Sequence, residues 1–180
     1  MNVRSLIRTV YISIIFLFCV MSCENQPKPV VDIQGHRGCR GLFPENTLVA
    51  FENAVKLGVH TLELDLAVSK DGIVVVSHEP FMSRTICSKP NGQPITQAED
   101  RQFNLYQMTF DSIQQFDCGL LKHPNFPEQM KIAAAKPSLT SVLAMAESLN
   151  PNIKYNIELK ADPNYDNIFT PKPAIFVNLV

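Results

Sequence analysis

Thr61-Leu62-Glu63-Leu64-Asp65-Leu66-Ala67-Val68 decides how this chain is read. Three leucines alternate with Glu63, Asp65 and Ala67, the period-two pattern of a β-strand. A strand on a protein surface would leave both carboxylates in water, but the next apolar run argues otherwise. Ile73 to Val76 is unbroken, as expected for a strand covered on both faces. With such a neighbour, the leucines pack against helices and the carboxylates point inward. Unpaired buried carboxylates are costly, so a metal or strong donors must accompany them. Asp71-Gly72 between the two runs is a tight-turn signal. A parallel crossover needs a dozen residues or more, so the chain is expected to pass Asp65, turn at Asp71-Gly72 and climb back. That path returns His78 to the end that bears Glu63 and Asp65.

Working outward, Val30 to Gly35 reads as a first strand, followed by a loop with Gly35, Gly38 and Gly41. Pro44-Glu45-Asn46-Thr47 then opens a helix, with Asn46 or Thr47 as N-cap, Leu48, Phe51, Ala54 and Val55 on one face, and Gly58 at its end. Residues 80–136 are less regular, with a short helix around Thr109 to Phe116, and read as an insertion that shapes a substrate mouth. Pro137-Ser138 starts a helix through Leu149. Asn152 to Lys160 is a fourth strand, in which Ile157 and Leu159 alternate with Asn156, Glu158 and Lys160. A last apolar segment, Ala174 to Val180, stops without a cap. Four strand-and-helix units are half of an eight-fold barrel, and the expected fold is a (β/α)₈ barrel of which this chain holds the N-terminal half.

The N-terminus reads as an export signal. Arg4 and Arg8 precede an apolar region, Val10 to Val20, that is too short for a comfortable membrane span of about 20 residues. Val20-Met21-Ser22-Cys23 resembles a bacterial lipobox, which makes 1–22 a signal peptide, Cys23 the lipidated first residue and 23–31 a tether to the folded domain, 32–180. The expected location is outside the cytoplasm, lipid-anchored to a bacterial membrane. Cys39, Cys87 and Cys118 remain, an odd number, so at most one disulfide forms within the chain and the sequence does not choose the pair. The net charge of −1 provides no basic field for nucleic acid.

The chemistry sits in short motifs. Side chains two apart on a strand point the same way, roughly 7 Å apart, so Glu63 and Asp65 can grip one ion. Glu158 supplies a third carboxylate. An all-oxygen set without cysteine suits Ca²⁺ or Mg²⁺ rather than zinc. Arg37 and Lys160 offer fixed positive charge for a phosphate, Arg37 through a bidentate fork. His36 and His78 are the candidates for proton transfer near neutral pH. His60 and His123 read as surface or packing residues, and Cys39 as loop packing.

Taken in order, Gly35-His36-Arg37-Gly38, Pro44-Glu45-Asn46-Thr47, Glu63-Leu64-Asp65, Lys70-Asp71-Gly72, Ser77-His78-Glu79 and Glu158-Leu159-Lys160 resemble the glycerophosphodiester phosphodiesterase family, as do Phe116-Asp117-Cys118-Gly119 and Pro124-Asn125-Phe126-Pro127. The resemblance implies a metal-dependent hydrolase that turns glycerophosphodiesters into glycerol 3-phosphate and an alcohol. It implies Glu63, Asp65 and Glu158 as metal ligands, His36 and His78 as general acid and base, and Arg37 and Lys160 on the phosphoryl oxygens. Glu79 stands where the family commonly has aspartate. The competing reading is a non-catalytic exported lipoprotein, an inactive truncated barrel that binds phosphodiester or glycan ligands.

Overall fold

The structure is a computed structural model that describes residue 2 and residues 31–180. The expected signal peptide apart from residue 2, the lipidated Cys23 and all but the last residue of the tether lie outside the described residues. Among the described residues no helix is long and apolar enough to cross a membrane.

Strand β2, Thr61–Val68, is the centre of the sheet. Strand β4, Lys154–Leu159, runs parallel along one side of it, with Asp65 opposite Glu158 and Glu63 opposite Asn156. Strand β1, Gln34–His36, runs parallel to the first half of β2, with His36 opposite Glu63. Strand β3, Val74–Val76, returns antiparallel to the second half, with Leu66 opposite Val76. The turn between β2 and β3 lies at Asp71-Gly72 as expected: Gly72, at φ 79°, donates its N–H to Ser69 O, and Ser69 N–H bonds Ile73 O.

Two expectations are corrected. The fourth strand-and-helix unit does not exist as such, because β3 is the antiparallel arm of a hairpin; the parallel strands among the described residues are β1, β2 and β4. The first strand is also shifted, covering Gln34–His36 rather than Val30 to Gly35, because its hydrogen-bonded neighbour is Thr61–Glu63.

The alternation of β2 sorts residues into two cores. Leu62, Leu64 and Leu66 are fully buried against Phe51 and Ala54 of helix α1 (Leu48–Lys56) and Val142 and Ala146 of helix α3 (Leu139–Leu149), with Phe176 of helix α4 (Pro173–Leu179) completing the layer. Both long helices begin where the sequence signals them. Thr47 and Ser138 are the N-caps, accepting from the N–H groups of Ala50 and Ser141. On the opposite face of β2, Glu63 and Asp65 are followed by Ala67, which packs with Val75 on a second core. That core belongs to the insertion: Met82, Leu105, Phe116, and Ile113 of the short helix α2 (Phe110–Ile113).

Within the insertion, Cys87 and Cys118 form a disulfide; outside it, Cys39 is the free thiol among the described residues. Replacing Cys87 and Cys118 by serine should lower stability by about 4 kcal/mol, from the loop-closure entropy of the 31-residue separation. Chemical denaturation under oxidising conditions reads this directly.

Candidate active site

Strand register assembles the site. Residues opposite each other on parallel strands project to the same face, so pairing His36 with Glu63 and Glu158 with Asp65 brings four chemical groups to one side of the sheet. One oxygen each from Glu63, Asp65 and Glu158 lies within 4.8 Å of the others. Lys160, two residues beyond Glu158, joins the same face. Its Nζ lies 3.1 Å from Asp65 Oδ1 and 2.6 Å from Glu158 Oε1. Burial works against the Lys160 charge, but the two carboxylates outweigh it and hold the ammonium above its ordinary range.

Asp65 is the buried centre, only 1% exposed. Besides Lys160 it faces Arg37 Nε at 3.3 Å and accepts from Asn46 Nδ2 at 2.9 Å. These donors come from two residues held at positive φ, Arg37 at 52° and Asn46 at 54°. Such conformations cost free energy in non-glycine residues, and the hydrogen bonds offset it. Arg37 donates its backbone N–H to Glu63 Oε2 at 2.7 Å, and Asn46 N–H bonds Arg37 O at 3.0 Å. Gly38 next to them, at φ 83°, lies against α1 so closely that a Cβ would come within 2.7 Å of the Ala50 backbone.

Arg37 does not present the free bidentate fork expected for a phosphate. Nη1 is held by Glu45 Oε1 at 2.7 Å and Nε faces Asp65, which leaves Nη2 outside these contacts. The guanidinium is a structural clamp, with Nη2 the nitrogen outside these contacts.

The hairpin delivers His78. Ser77 N–H bonds Asp65 O at 2.8 Å, and His78 Nδ1 lies 2.9 Å from Glu79 Oε1. Burial raises the Glu79 pKa, but the His78 hydrogen bond, the charges of Lys136 and His78, and Arg37 together outweigh it and hold the carboxyl at about 2. An ionised Glu79 is an acceptor, which suits an N–H on His78 Nδ1. His36 is more open, its Nε2 3.8 Å from Glu63 Oε2 and its side chain 55% exposed.

Two clefts of about 160 Å³ each flank this row. One is bordered by His78, Glu158, Lys160 and Tyr165, the other by Arg37, Glu45, Glu79 and His123. A larger cleft of about 540 Å³ lies beside α1 and α3 and is lined by no ionisable side chain, so it carries no chemistry of this kind.

Every catalytic, phosphate-binding and metal-ligating residue read from the sequence falls in this region. The sequence reading did not see Glu45 and Asn46 as part of it, although the assignment of the cap to Thr47 leaves Asn46 without a local task. His60 is a surface residue, its Nδ1 accepting from Ile33 N–H. His123 is a packing residue, tilted against the Phe126 ring with Nε2 3.5 Å from Glu45 Oε2. Cys39 donates to Ala50 O, and burial pushes its thiol up to about 11, so it is no nucleophile.

The carboxylate trio fits a hard divalent cation: its donors are all oxygen and they converge. Lys160 sits within that convergence and would share Asp65 and Glu158 with the ion.

Two measurements test these interactions. Asp65→Asn should cost about 3–5 kcal/mol, because it strips Arg37 and Lys160 of their buried counter-charge; urea denaturation at neutral pH checks it. The second concerns Glu79, whose folded pKa of about 2 lies below the unfolded value of 4.5. Its stabilising contribution is complete above pH 4.5 and disappears as pH falls towards 2. The stability gap between wild type and Glu79→Gln should therefore close over that interval in an acid series.

Comparison with known proteins converges on one family. Residues 36–170 match the glycerophosphoryl diester phosphodiesterase family. A glycerophosphodiester phosphodiesterase of Bacillus subtilis is 29% identical over 133 residues, covering 72% of this chain and 40% of that protein. The mouse glycerophosphodiester phosphodiesterase domain-containing protein 4 is 32% identical over 139 residues, covering 72% of this chain and 21% of that one. A crystal structure from Silicibacter pomeroyi, provisionally assigned as a glycerophosphoryl diester phosphodiesterase, superposes with a TM-score of 0.69 at 32% identity, covering 76% of this chain and 47% of that one. The chain thus spans less than half the length of each of these proteins, and its sheet and helices are part of an α/β barrel. With the matched region taking in every site residue from His36 to Lys160, the chain belongs to the glycerophosphoryl diester phosphodiesterase family.

Proposed function

We propose that this protein hydrolyses glycerophosphodiesters to glycerol 3-phosphate and an alcohol, with a divalent cation, Ca²⁺ or Mg²⁺, held by Glu63, Asp65 and Glu158. The observation that carries this reading is the convergence of three carboxylates, two cations and two histidines at one end of the parallel strands in a chain of this family.

Bound to the trio, the cation would supply Lewis-acid stabilisation of phosphoryl charge and make a nearby hydroxyl more acidic. Lys160 and the remaining nitrogen of Arg37 neutralise the non-bridging phosphoryl oxygens as charge builds on them. His78 is held by Glu79 through Nδ1, so Nε2 takes up or delivers a proton at a substrate oxygen. His36, on the neighbouring strand and open to solvent, serves the opposite transfer. Neither role requires a covalent bond to the protein.

The reading of a non-catalytic binding protein is less well supported, since both histidines and the full carboxylate set are present. In location, the proposed enzyme is exported and lipid-anchored through Cys23 after loss of residues 1–22. Its substrates are then small phosphodiesters outside the cytoplasm, such as deacylated phospholipids.

Incubation of the chain with glycerophosphocholine or glycerophosphoethanolamine should release glycerol 3-phosphate with Ca²⁺ or Mg²⁺ and not with chelator. His78→Ala should reduce the rate by roughly 10²–10⁴-fold without altering calorimetric binding of the ion, whereas Glu63→Gln should weaken ion binding itself. A folded, ion-loaded chain that released nothing would sink the proposal.

A further inference from the structure

Of the two clefts of about 160 Å³, the one beyond Arg37 is walled by polar side chains that the proposed chemistry leaves unused. Ser83, Thr85 and Asn125 line it from the insertion, and Arg40 from the loop after β1. Its carboxylates are Glu45 and Glu79. Glu45 is engaged at both oxygens, Oε1 by Arg37 Nη1 at 2.7 Å and Oε2 by His123 Nε2 at 3.5 Å. His123 Nδ1 accepts the Asn125 N–H at 3.1 Å, so the imidazole proton sits on Nε2 and the ring is neutral. Glu79 is engaged at Oε1 by His78.

The donors of the cleft are held in place but not engaged. Among the described residues, the hydrogen bonds of Arg40, Thr85 and Asn125 run through their backbones, which leaves the guanidinium, the hydroxyl and the amide free. Arg40 is nevertheless ordered: Gln129 Nε2 donates to its carbonyl oxygen at 2.7 Å, and its guanidinium carbon lies 4.8 Å from the centre of the Phe126 ring. A guanidinium placed on a ring face keeps its N–H edge available to a ligand. Charge then selects the ligand. Arg37 and Arg40 stand against Glu45 and Glu79, and the imidazole is neutral, so the cleft has no net field for a second phosphate or for an ammonium group. It offers free donors and one free acceptor, Glu79 Oε2, which together complement an uncharged, hydroxylated group.

Position decides which part of a diester that group is. Arg37 belongs both to the charged row and to this cleft, whereas the opposite cleft meets the row at Glu158 and Lys160. Displacement at phosphorus runs in line, with the attacking and departing oxygens on opposite sides. In the proposed reaction the attacking hydroxyl lies by the carboxylate trio, on the Glu158 side, which puts the departing alcohol on the Arg37 side. We propose that this cleft receives the departing alcohol and selects a polyhydroxylated one, such as glycerol, with Arg40, Thr85 and Asn125 donating to its hydroxyl oxygens and Glu79 Oε2 accepting from one of them. The inference rests on the proposed hydrolysis for which arm departs; the fit of a polyol to the cleft does not depend on turnover.

Two measurements on the full chain test this. The first compares release of glycerol 3-phosphate from glycerophosphoglycerol and from glycerophosphoethanolamine. Wild type should favour glycerophosphoglycerol in kcat/KM by about tenfold, and Arg40→Ala and Thr85→Val should each erode that preference. Equal rates in wild type, or variants that slow both diesters alike, overturn the proposal. If Arg40→Ala does not fold, Thr85→Val, at an exposed position, carries the comparison. The second measurement is an NMR titration of the His78→Ala chain with each diester. Glycerophosphoglycerol should shift the Arg40 Nε–H and Asn125 side-chain amide signals, and glycerophosphoethanolamine should leave them in place. Should wild type turn over neither diester, the hydrolase reading fails and the titration alone decides: selective shifts uphold the polyol cleft, and their absence overturns it.

Discussion

Asp65 is a carboxylate with almost no contact with water, surrounded by Arg37 Nε, Lys160 Nζ and Asn46 Nδ2 at 2.9–3.3 Å. An ionised group in that position is tolerable only when donors surround it, and removing any one leaves a charge without compensation. The rest of the site is arranged to supply those donors. The loop after β1 twists through two left-handed residues to deliver Arg37 and Asn46, β4 takes the register that brings in Lys160, and Glu45 and Glu63 fix Arg37 from two further directions. Strain in the loop and burial of charge are thus two sides of one construction.

That construction bears on function through economy of charge. Among Glu45, Glu63, Asp65, Glu79 and Glu158, the negative charge exceeds what Arg37 and Lys160 balance by contact. A divalent cation at the trio would offset most of that excess and temper the repulsion that carboxylates alone exert on a phosphodiester anion. Glu79 is not part of the trio and lies against His78, so the hairpin keeps this histidine–carboxylate pair separate from the carboxylate cluster.

The insertion turns a sheet edge into a site wall. Its core joins the sheet through Ala67 and Val75, its disulfide ties Cys87 to Cys118, and its return path packs Gly119 against Pro44 and Ile132 at the start of the Glu45-Asn46 loop. A segment that looked irregular by periodicity is therefore held by one covalent link, one small core and a backbone bridge to β3.

Much of this was legible in the residues. The period-two pattern of Thr61–Val68, the caps at Thr47 and Ser138, the turn at Asp71-Gly72 and the inward direction of Glu63 and Asp65 all follow from local spacing, because side-chain direction on a strand and capping of a helix are short-range effects. Motif order likewise pointed to the family. What spacing could not decide was pairing between distant segments. The return of Ile73 to Val76 through the Asp71-Gly72 turn was legible, but that run was still counted as a strand-and-helix unit of its own, so four units were expected where the parallel strands among the described residues are three. The choice of Cys118 as partner for Cys87, the engagement of Arg37 by Glu45 and Asp65, and the burial of Lys136 depend on which segments meet in space. The sequence by itself determined the chemistry available and the face on which each strand carries it. Tertiary structure alone decided which charges face one another, because electrostatic energy depends on distance through the fold and not on separation along the chain.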